Sequence, residues 1–416
     1  MIKREKGLNV LSLFDGMSCG HIALDKANIK VNTYIASEIE KSVIKVTQAN
    51  YPSTLMVGNV ELVHYVKRSK KLYANCKRTL VDSLKNHKGK KSWTKDELEK
   101  FQKQRCQVLA NGDIIKFSYN SSNLVFEGDI DLILAGSPCT QFSSATYYSR
   151  GKINYGLEGH QSKLFYEFYR ILHEVNPKFY LLENVASMTN ESQELLNNFL
   201  HKRAILINSN LVSYQNRERL YWTNIPNVVF HFPKDLGIDF QQYKLTTLKR
   251  IEKLLYSQKY EGNTTTIILT ATEVDTIYNN NLWAYEELKA IRPAITKEEF
   301  VDELHKMLQE SCRAPKPYIE KMIHGDSKGR FKSKNVTNEN KIACVTTSQN
   351  RSPNCGYVEF NYIRTLTRLE LAKAQTVPYS YVCDMTTSNL EKALGNGWTI
   401  DVIVHILKQL RKQYEF

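Results

Sequence analysis

The stretch LNVLSLFDGMSCG, residues 8–20, decides the fold class of this chain. It opens with a continuous apolar run, which is typical of a strand buried on both faces of a parallel sheet. The glycine-containing turn DGMSCG follows, and the next segment, IALDKANI, has apolar residues at helical spacing. The stretch therefore predicts a strand, a tight turn and a helix in succession.

The same rhythm continues outward from this stretch. Four later segments indicate strands: VNTYIASEIE, TLMVGNV, DIDLILAGSPC and KFYLLENV. Residues 41–50 and 163–175 have the apolar spacing of helices. Strands that alternate with helices predict an α/β fold with a doubly wound, mostly parallel sheet. The rhythm is lost from residue 226 onward, where helical stretches such as 282–311 predict a second, smaller domain.

The composition places the chain among globular proteins. It has 416 residues, of which 42% are hydrophobic and 24% charged, and this excludes a disordered or fibrous chain. We expect no membrane span and no signal peptide, because no sufficiently long apolar run occurs. The eight cysteines are scattered without a CxxC pair, so neither a metal site nor a disulfide framework is indicated. Free thiols are typical of a cytoplasmic protein.

The charge balance favours a polyanionic partner. Lys and Arg number 57 against 43 Asp and Glu, a net charge of +14. Residues 67–105 alone contain fourteen Lys or Arg and four Asp or Glu. A basic surface suits nucleic acid, through release of counterions. This basic, helical insertion is either a solvated face or a clamp on the DNA backbone.

Chemically capable side chains follow the predicted strands. The turn that begins at Asp15 and the acid Glu38, at the end of the next strand, are placed to bind a nucleoside cofactor, although many such turns bind nothing. Cys139 follows a buried strand and is a candidate nucleophile, or else a small buried apolar residue. Glu183 closes an apolar strand, where it can hold a proton, although the segment could instead cap a helix.

A further pair of basic residues lies in QNRER, before the apolar segment LYWTNI. Arg217 and Arg219 are spaced by two and therefore share one face of a strand. They can bind an anion or a carbonyl oxygen with paired donors. The alternative is a surface ion-pair strip with Glu218.

Taken in order, these motifs resemble those of the cytosine-5 DNA methyltransferase family, over residues 8–65, 129–225 and 355–410. FDGMSCG is similar to the first cofactor motif, SPC to the Pro-Cys motif, ENV to the acid motif and QNRER to the Gln-x-Arg-x-Arg motif. RTLTRLELAKAQTVP and LGNGWTIDVI are similar to the two C-terminal motifs. The SPC form resembles the phage-encoded branch that is related to de novo methyltransferases.

The resemblance implies a DNA (cytosine-5-)-methyltransferase that acts on a flipped-out cytosine in duplex DNA through a covalent cysteine adduct. The implied catalytic residues are Cys139, Glu183, Arg217 and Arg219. The implied cofactor is S-adenosyl-L-methionine, with contacts from Phe14, Asp15, Gly16, Cys19, Gly20, Glu38, Ile39, Asn59, Pro138, Asn396 and Trp398. Asn59 stands where the family usually has Asp, and Asp113 is the alternative for that contact.

The resemblance also implies a domain organisation. Residues 1–225 form the catalytic domain, with the basic helical insertion at about 66–126. Residues 226–350 form the target recognition domain, and 351–416 return to the catalytic domain. The loop 140–160 is expected to close over the base and to touch phosphates through Ser143, Ser144, Arg150 and Lys152.

The predicted protein is a cytoplasmic monomer that binds double-stranded DNA without a metal or a membrane; a phage-encoded enzyme would work in the host cytoplasm. Three other readings stay open: an RNA cytosine methyltransferase on the same scaffold, a non-catalytic DNA-binding protein, and a dinucleotide oxidoreductase. The biological role is equally open between restriction-modification, phage self-protection and regulation, with a stand-alone enzyme favoured.

Overall fold

The computed structural model describes residues 7–65, 116–120, 123–127, 129–137, 163–313, 323–324, 332–349, 354–360 and 362–413. These residues belong to two compact units. The first unit draws on Met1–Ile207, Arg219–His231 and Ile406–Phe416, and the second on Asn208–Glu218 and Phe232–His405. The predicted helices of the basic insertion lie outside the described residues.

A mostly parallel sheet forms the centre of the first unit, as the apolar strand segments predict. Its seven strands have the order β3-β2-β1-β7-β8-β10-β9. The pairs β1–β2, β2–β3, β1–β7 and β7–β8 are parallel, and β10 runs antiparallel to β8. The strands are β1 Leu8–Leu13, β2 Val31–Ser37, β3 Leu55–Met56, β7 Leu132–Gly136, β8 Phe179–Val185, β9 Ile205–Asn208 and β10 Glu218–Thr223.

Among the described residues, the first unit has four α-helices before its C-terminal segment. They are α1 Cys19–Lys26, α2 Lys41–Asn50, α3 Lys163–Val175 and α4 Asn190–Leu200. Helix α3 carries Phe165, Phe168 and Ile171 at the spacing of one helical face, and all three are buried in the core with Leu11 and Trp222. The core therefore joins α3 to the strands that carry the candidate site.

A separate three-stranded sheet lies at the two ends of the insertion predicted at about 66–126, on either side of the basic stretch 67–105 in sequence. Its order is β4-β6-β5, with β4 at Val63–Tyr65, β5 at Lys116–Asn120 and β6 at Asn123–Glu127. Strand β5 is antiparallel to β6, and β4 is parallel to β6. The two ends of the insertion are thus paired through β6.

The second unit is mainly helical. Its helices are α5 Lys249–Tyr260, α6 Ala271–Asn280, α7 Leu282–Lys289, α8 Lys297–Ser311, α9 Arg368–Ala374, α10 Tyr379–Val382, α11 Thr387–Asn396 and α12 Ile400–Gln413, whose last residues belong to the first unit. A hairpin of β11 Val358–Phe360 and β12 Tyr362–Arg364 accompanies them. The helical stretch expected at 282–311 is two helices, because Pro293 cannot continue one.

Helix starts in this unit are fixed by reciprocal side-chain caps. Thr270, Thr296 and Thr367 each cap a helix whose third residue is a glutamate that returns the hydrogen bond. At α9 that glutamate, Glu370, is fully buried and also pairs with Arg364. No described helix is long and apolar enough to cross a membrane.

Candidate active site

The carboxyl ends of β7 and β8 bring the acid motif beside the approach to the Pro-Cys motif. Gly136 of β7 pairs in register with Glu183 of β8. On the other side of β8, Tyr221 of β10 pairs with Glu183 and Arg219 pairs with Val185. Ligands of open α/β sheets bind at this edge. The register therefore places Ser137, Glu183 and Arg219 at one end of three neighbouring strands.

An ion pair joins the two described candidate catalytic side chains of this edge. The Arg219 Nε–H donates to Glu183 Oε1 at 2.9 Å. The side chains are 14% and 9% exposed, so the pair is nearly buried yet reaches the surface. A carboxylate and a guanidinium side by side offer an acceptor and a set of donors to one planar heterocycle.

A buried amide ties the end of β8 to the turn after β7. The Asn184 side-chain Nδ2 donates to Ser137 Oγ at 3.0 Å, and its Oδ1 accepts the Val185 N–H at 2.8 Å. Ser137 is two residues before Cys139 in the sequence, so this contact fixes the residue from which the chain continues to Cys139. Sequence reasoning missed this contact, and its alternative of a helix cap within this segment is wrong, because Thr189 caps α4.

The turn between β1 and α1 has an unusual backbone. Phe14, Gly16 and Ser18 have φ angles of 56°, 59° and 56°. Only glycine adopts this left-handed region without steric cost, so Phe14 and Ser18 are strained. The Glu38 carboxylate secures the turn by accepting the Gly16 N–H at 2.8 Å and the Ile39 and Glu40 N–H groups at 2.7 and 2.8 Å. The predicted cofactor acid thus links the ends of β1 and β2.

Asp15 is buried in a hydroxyl network beneath this turn. The Tyr34 hydroxyl donates to Asp15 Oδ1 at 2.8 Å, and the Ser18 hydroxyl donates to Oδ2. The Thr47 hydroxyl in turn donates to Ser18 Oγ at 3.0 Å. Burial raises the pKa of Asp15 to about 6. No sequence signal marks Tyr34 or Thr47, which look like ordinary strand and helix residues.

A stack of three rings adjoins the same network. His21 lies between Tyr34 and Tyr51, with ring centroids 4.3 and 3.7 Å apart. The Tyr51 hydroxyl donates to Asp25 at 2.7 Å. Burial lowers the pKa of His21 to about 4. The stack therefore packs as a neutral unit against the turn between β1 and α1.

The residues at the carboxyl ends of β1 and β2 fit the adenosine part of the expected cofactor. Ile39 directly follows Glu38 and is 71% exposed, which leaves an apolar side chain at the edge next to the carboxylate. A Cβ at Gly16 would meet none of the described atoms within 4 Å. Asn59 follows β3 and caps the short helix Val60–Leu62 by accepting the Glu61 N–H. Cys19 and Gly20 are buried in the first turn of α1.

Arg217, Asn396 and Trp398 lie in the second unit. The Arg217 guanidinium is buried and donates to four acceptors: the carbonyls of Val345, Gly395 and Gly397, and Cys344 Sγ. Gly395 lies so close to the chain at 346–347 that a Cβ there would be 2.4 Å from backbone atoms. Asn396 ends α11, and Trp398 is buried. Arg217 therefore holds the segment 395–397, whereas Arg219 is in the first unit.

Several predicted site residues lie outside the described residues. They are Asp113, Pro138, Cys139, Ser143, Ser144, Arg150 and Lys152. Their roles stay predictions from the sequence. Within the described ranges, no three His, Cys, Asp or Glu side chains are grouped as a metal site.

Comparison with known proteins agrees with the fold and the motifs. The family model of C-5 cytosine-specific DNA methylases matches residues 82–412. The type II methyltransferase M.HaeII of Haemophilus aegyptius is 25% identical over 287 residues, which cover 66% of this chain and 72% of that protein. The DNA (cytosine-5)-methyltransferase DRM2 of Arabidopsis thaliana is 28% identical over 172 residues, 41% of this chain and 20% of that protein.

A solved structure extends the likeness of fold to the whole chain. The methyltransferase EhMeth of Entamoeba histolytica superposes with a TM-score of 0.52 at 13% identity, and the match covers 98% of this chain and 99% of that one. It includes the segment before residue 82, where the turn Asp15–Gly20 lies. The chain belongs to the C-5 cytosine-specific DNA methylase family.

Proposed function

We propose that this protein methylates carbon 5 of a cytosine flipped out of duplex DNA, through a covalent adduct with Cys139. The observation that carries the proposal is the Glu183–Arg219 ion pair at 2.9 Å, at the sheet edge where the chain leads from Ser137 to Cys139. Membership of the family supports the general reaction, which is methylation of cytosine in DNA with S-adenosylmethionine.

The proposed chemistry begins at the substrate ring. The base must leave the stack, because carbon 6 is not accessible to a side chain within the duplex. The Cys139 thiolate adds to carbon 6 and pushes electron density toward carbon 5. As the bond to carbon 6 forms, ring nitrogen 3 takes a proton from the Glu183 carboxyl group, which also accepts a hydrogen bond from the exocyclic amine. Arg219 donates to the carbonyl oxygen at carbon 2, where negative charge develops.

Completion of the reaction methylates carbon 5 and releases the cysteine. When bound, S-adenosylmethionine supplies the methyl group for carbon 5. A water molecule then takes the proton from carbon 5, the electron pair of that bond forms the double bond to carbon 6, and the Cys139 sulfur leaves as thiolate while the proton on nitrogen 3 returns to Glu183. Asn184 supports this geometry through Ser137, and we assign Arg217 a supporting role through the segment 395–397.

The residues of the proposed cofactor site fall into two groups, one for the adenosine part and one for the methionine part. Glu38 would bind the ribose hydroxyls and Ile39 would lie against the adenine, with Asn59 next to the adenine amine. Asp15, Gly16, Cys19, Gly20 and Phe14 would surround the methionine part, and Pro138, Asn396 and Trp398 would complete the site. The residues 226–350 would read the target sequence through base edges, and the loop residues Ser143, Ser144, Arg150 and Lys152 would contact the DNA.

The test is transfer of a labelled methyl group from S-adenosylmethionine to unmethylated duplex DNA, with the product mapped by bisulfite sequencing. We expect methylcytosine from the wild type and none from Cys139→Ser. Cys383→Ser is the matched control, because Cys383 is a partly exposed cysteine of the second unit. Methylcytosine in transfer RNA but not in duplex DNA would refute the proposed substrate, and equal activity of Cys139→Ser would refute the nucleophile.

A further inference from the structure

A cavity of about 500 Å³ lies in the second unit, apart from the residues assigned to methyl transfer. Its walls come from the end of α5, the end of α8, the start of α9 and the first turns of α11. A volume of this size is typical of a site for a small molecule or for one group of a larger ligand.

Three basic side chains line the cavity: Lys259, Arg313 and Arg368. Main-chain carbonyls hold each of them in place. The Lys259 ammonium donates to the carbonyls of Gln309, Glu310 and Cys312, at the end of α8. Arg313 Nη1 donates to two of the same carbonyls, those of Glu310 and Cys312. The basic groups are therefore fixed before any ligand arrives.

Arg368 is held in the same way. Its Nη2 donates to the carbonyls of Cys383 and Met385 at 2.7 and 2.6 Å. Both arginines are only partly buried, so part of each side chain is accessible. Arginine suits a phosphate ligand because its planar fork matches phosphate oxygens.

The first turn of α11 adds a third element. Thr386 caps this helix and Thr387 is its first residue, and both line the cavity. The N–H groups and the dipole at the start of a ten-residue helix favour negative charge.

Two acidic side chains limit which anions the cavity can bind. Glu310 and Glu391 also line it, and Glu391 is buried and accepts the Gln349 N–H at 2.9 Å. A bare multivalent anion would be repelled by these carboxylates. A phosphate ester is better matched, because its charged oxygens can meet the guanidinium groups while its esterified, uncharged part faces the carboxylates.

We propose that this cavity binds the phosphate group of a phosphate ester, held by Arg313, Arg368 and the first turn of α11. The group could come from a free phosphate ester or from the DNA backbone. The second source rests on the proposed function, and the first does not.

Two matched variants test the proposal in the full-length chain. Thr387→Glu places a carboxylate at the cavity, and Ser388→Glu places one on the next exposed residue of the same helix, outside the cavity lining. An acid in the first turn favours the helix, so both variants are expected to fold. Isothermal titration with ribose 5-phosphate should show binding to the wild type, at least tenfold weaker binding to Thr387→Glu, and a change below twofold in Ser388→Glu.

A second arm identifies the source of the phosphate. The affinity for a fluorescent duplex is measured by anisotropy at several salt concentrations. If DNA is the source, Thr387→Glu weakens it at least tenfold and lowers the slope of log affinity against log salt by about one, and Ser388→Glu does neither. An effect on ribose 5-phosphate alone indicates a free ester.

Other outcomes overturn the proposal. These are the absence of a difference between the two glutamate variants in both arms, or unchanged ligand affinity in Arg313→Lys, which keeps the charge but loses the planar fork. If methyl transfer fails in the wild type while ribose 5-phosphate binds at the cavity, the proposed function fails and this proposal stands.

Discussion

Two arginine–glutamate pairs occupy different settings in the two units. In the second unit, Arg364 and Glu370 are both 0% exposed, and the guanidinium meets the carboxylate at 2.8 and 2.9 Å. The same carboxylate also accepts the N–H groups of Leu245 and Thr367. In the first unit, Arg219 and Glu183 meet at 2.9 Å but reach the surface. The comparison indicates that one pair holds the fold and the other is available to a substrate.

The largest effect is expected when one partner of the fully buried pair is removed. Glu370→Gln would leave the Arg364 charge buried without its counterion, so we expect the free energy of unfolding to fall by about 3–5 kcal/mol. Urea denaturation followed by circular dichroism measures the change. A loss below about 1 kcal/mol would contradict a structural role for this pair.

The corresponding change in the other pair should affect catalysis. Glu183→Gln keeps the size of the side chain but removes the carboxyl group that is proposed to protonate ring nitrogen 3. We expect kcat for methyl transfer to fall by roughly 10²–10³, comparable to the loss of one transition-state hydrogen bond. The free energy of unfolding should change by less than about 2 kcal/mol, because solvent reaches this pair.

A matched control uses a glutamate of an exposed pair. Glu339→Gln removes the charged partner of Lys334, and this pair lies at the surface. Neither kcat nor the urea midpoint should change appreciably. An equal loss of kcat in the two glutamine variants would show that the effect of Glu183→Gln is not specific to the site.

The buried imidazole of His21 offers a third setting, a titratable group between two rings. Its pKa is lowered to about 4 by burial, so the unfolded chain binds the proton first as the pH falls below 6.5. Stability is therefore lost in the window from pH 6.5 to 4, by about 1.4 kcal/mol per pH unit from this group. His21→Phe keeps the stack and should flatten that part of the stability profile, measured by urea denaturation at each pH.

The contribution of Asp15 to stability depends on pH in the opposite direction, because burial raises the pKa of Asp15 from 3.8 to about 6. Its contribution is present at low pH and is lost as the pH rises from 3.8 through 6. Asp15→Asn should therefore make the loss of stability on acidification steeper than in the wild type. If both variants followed the wild-type profile, these two groups would not titrate as their surroundings require.

The smallest expected effect concerns the neutral hydrogen bond beside the charged pair. We expect Asn184→Ala and Ser137→Ala to be coupled by about 0.5–1.5 kcal/mol in a double-mutant cycle of unfolding free energy. In the same cycle, the loss of kcat in the double variant should be smaller than the sum of the single losses. Additive effects in both measurements would mean that the Asn184–Ser137 contact does not position the turn to Cys139.

The elements that were predicted well are those with a strong local signal. The continuous apolar runs of β1 and β8 indicate buried parallel strands, and the bounds of α2 match the predicted residues 41–50. Strand β9 was missed, because it has only four residues and alternates between buried and exposed positions. A strand this short has little pattern to recognise.

The candidate site could be predicted only where the position of a residue along the chain determines its place in the fold. Glu38 and Glu183 end apolar strands, so their place at the sheet edge follows from the fold class. The partners of Asp15 do not follow, because Tyr34 and Thr47 come from separate elements and meet only in the tertiary structure. Likewise, the spacing of Arg217 and Arg219 suggested a shared face, but their described partners belong to different units.

Gly395 has a consequence for the variation that this chain can accept. Any side chain there would place its Cβ 2.4 Å from the backbone at 346–347, and rearrangement of that backbone would disturb the acceptors of Arg217. In a library of single-codon changes, position 395 should therefore be depleted of every missense allele, including alanine. The codon for Lys392, three residues earlier in the same helix, should accept many substitutions, because the Lys392 side chain is exposed. A selective constraint on one codon can thus arise from main-chain packing alone.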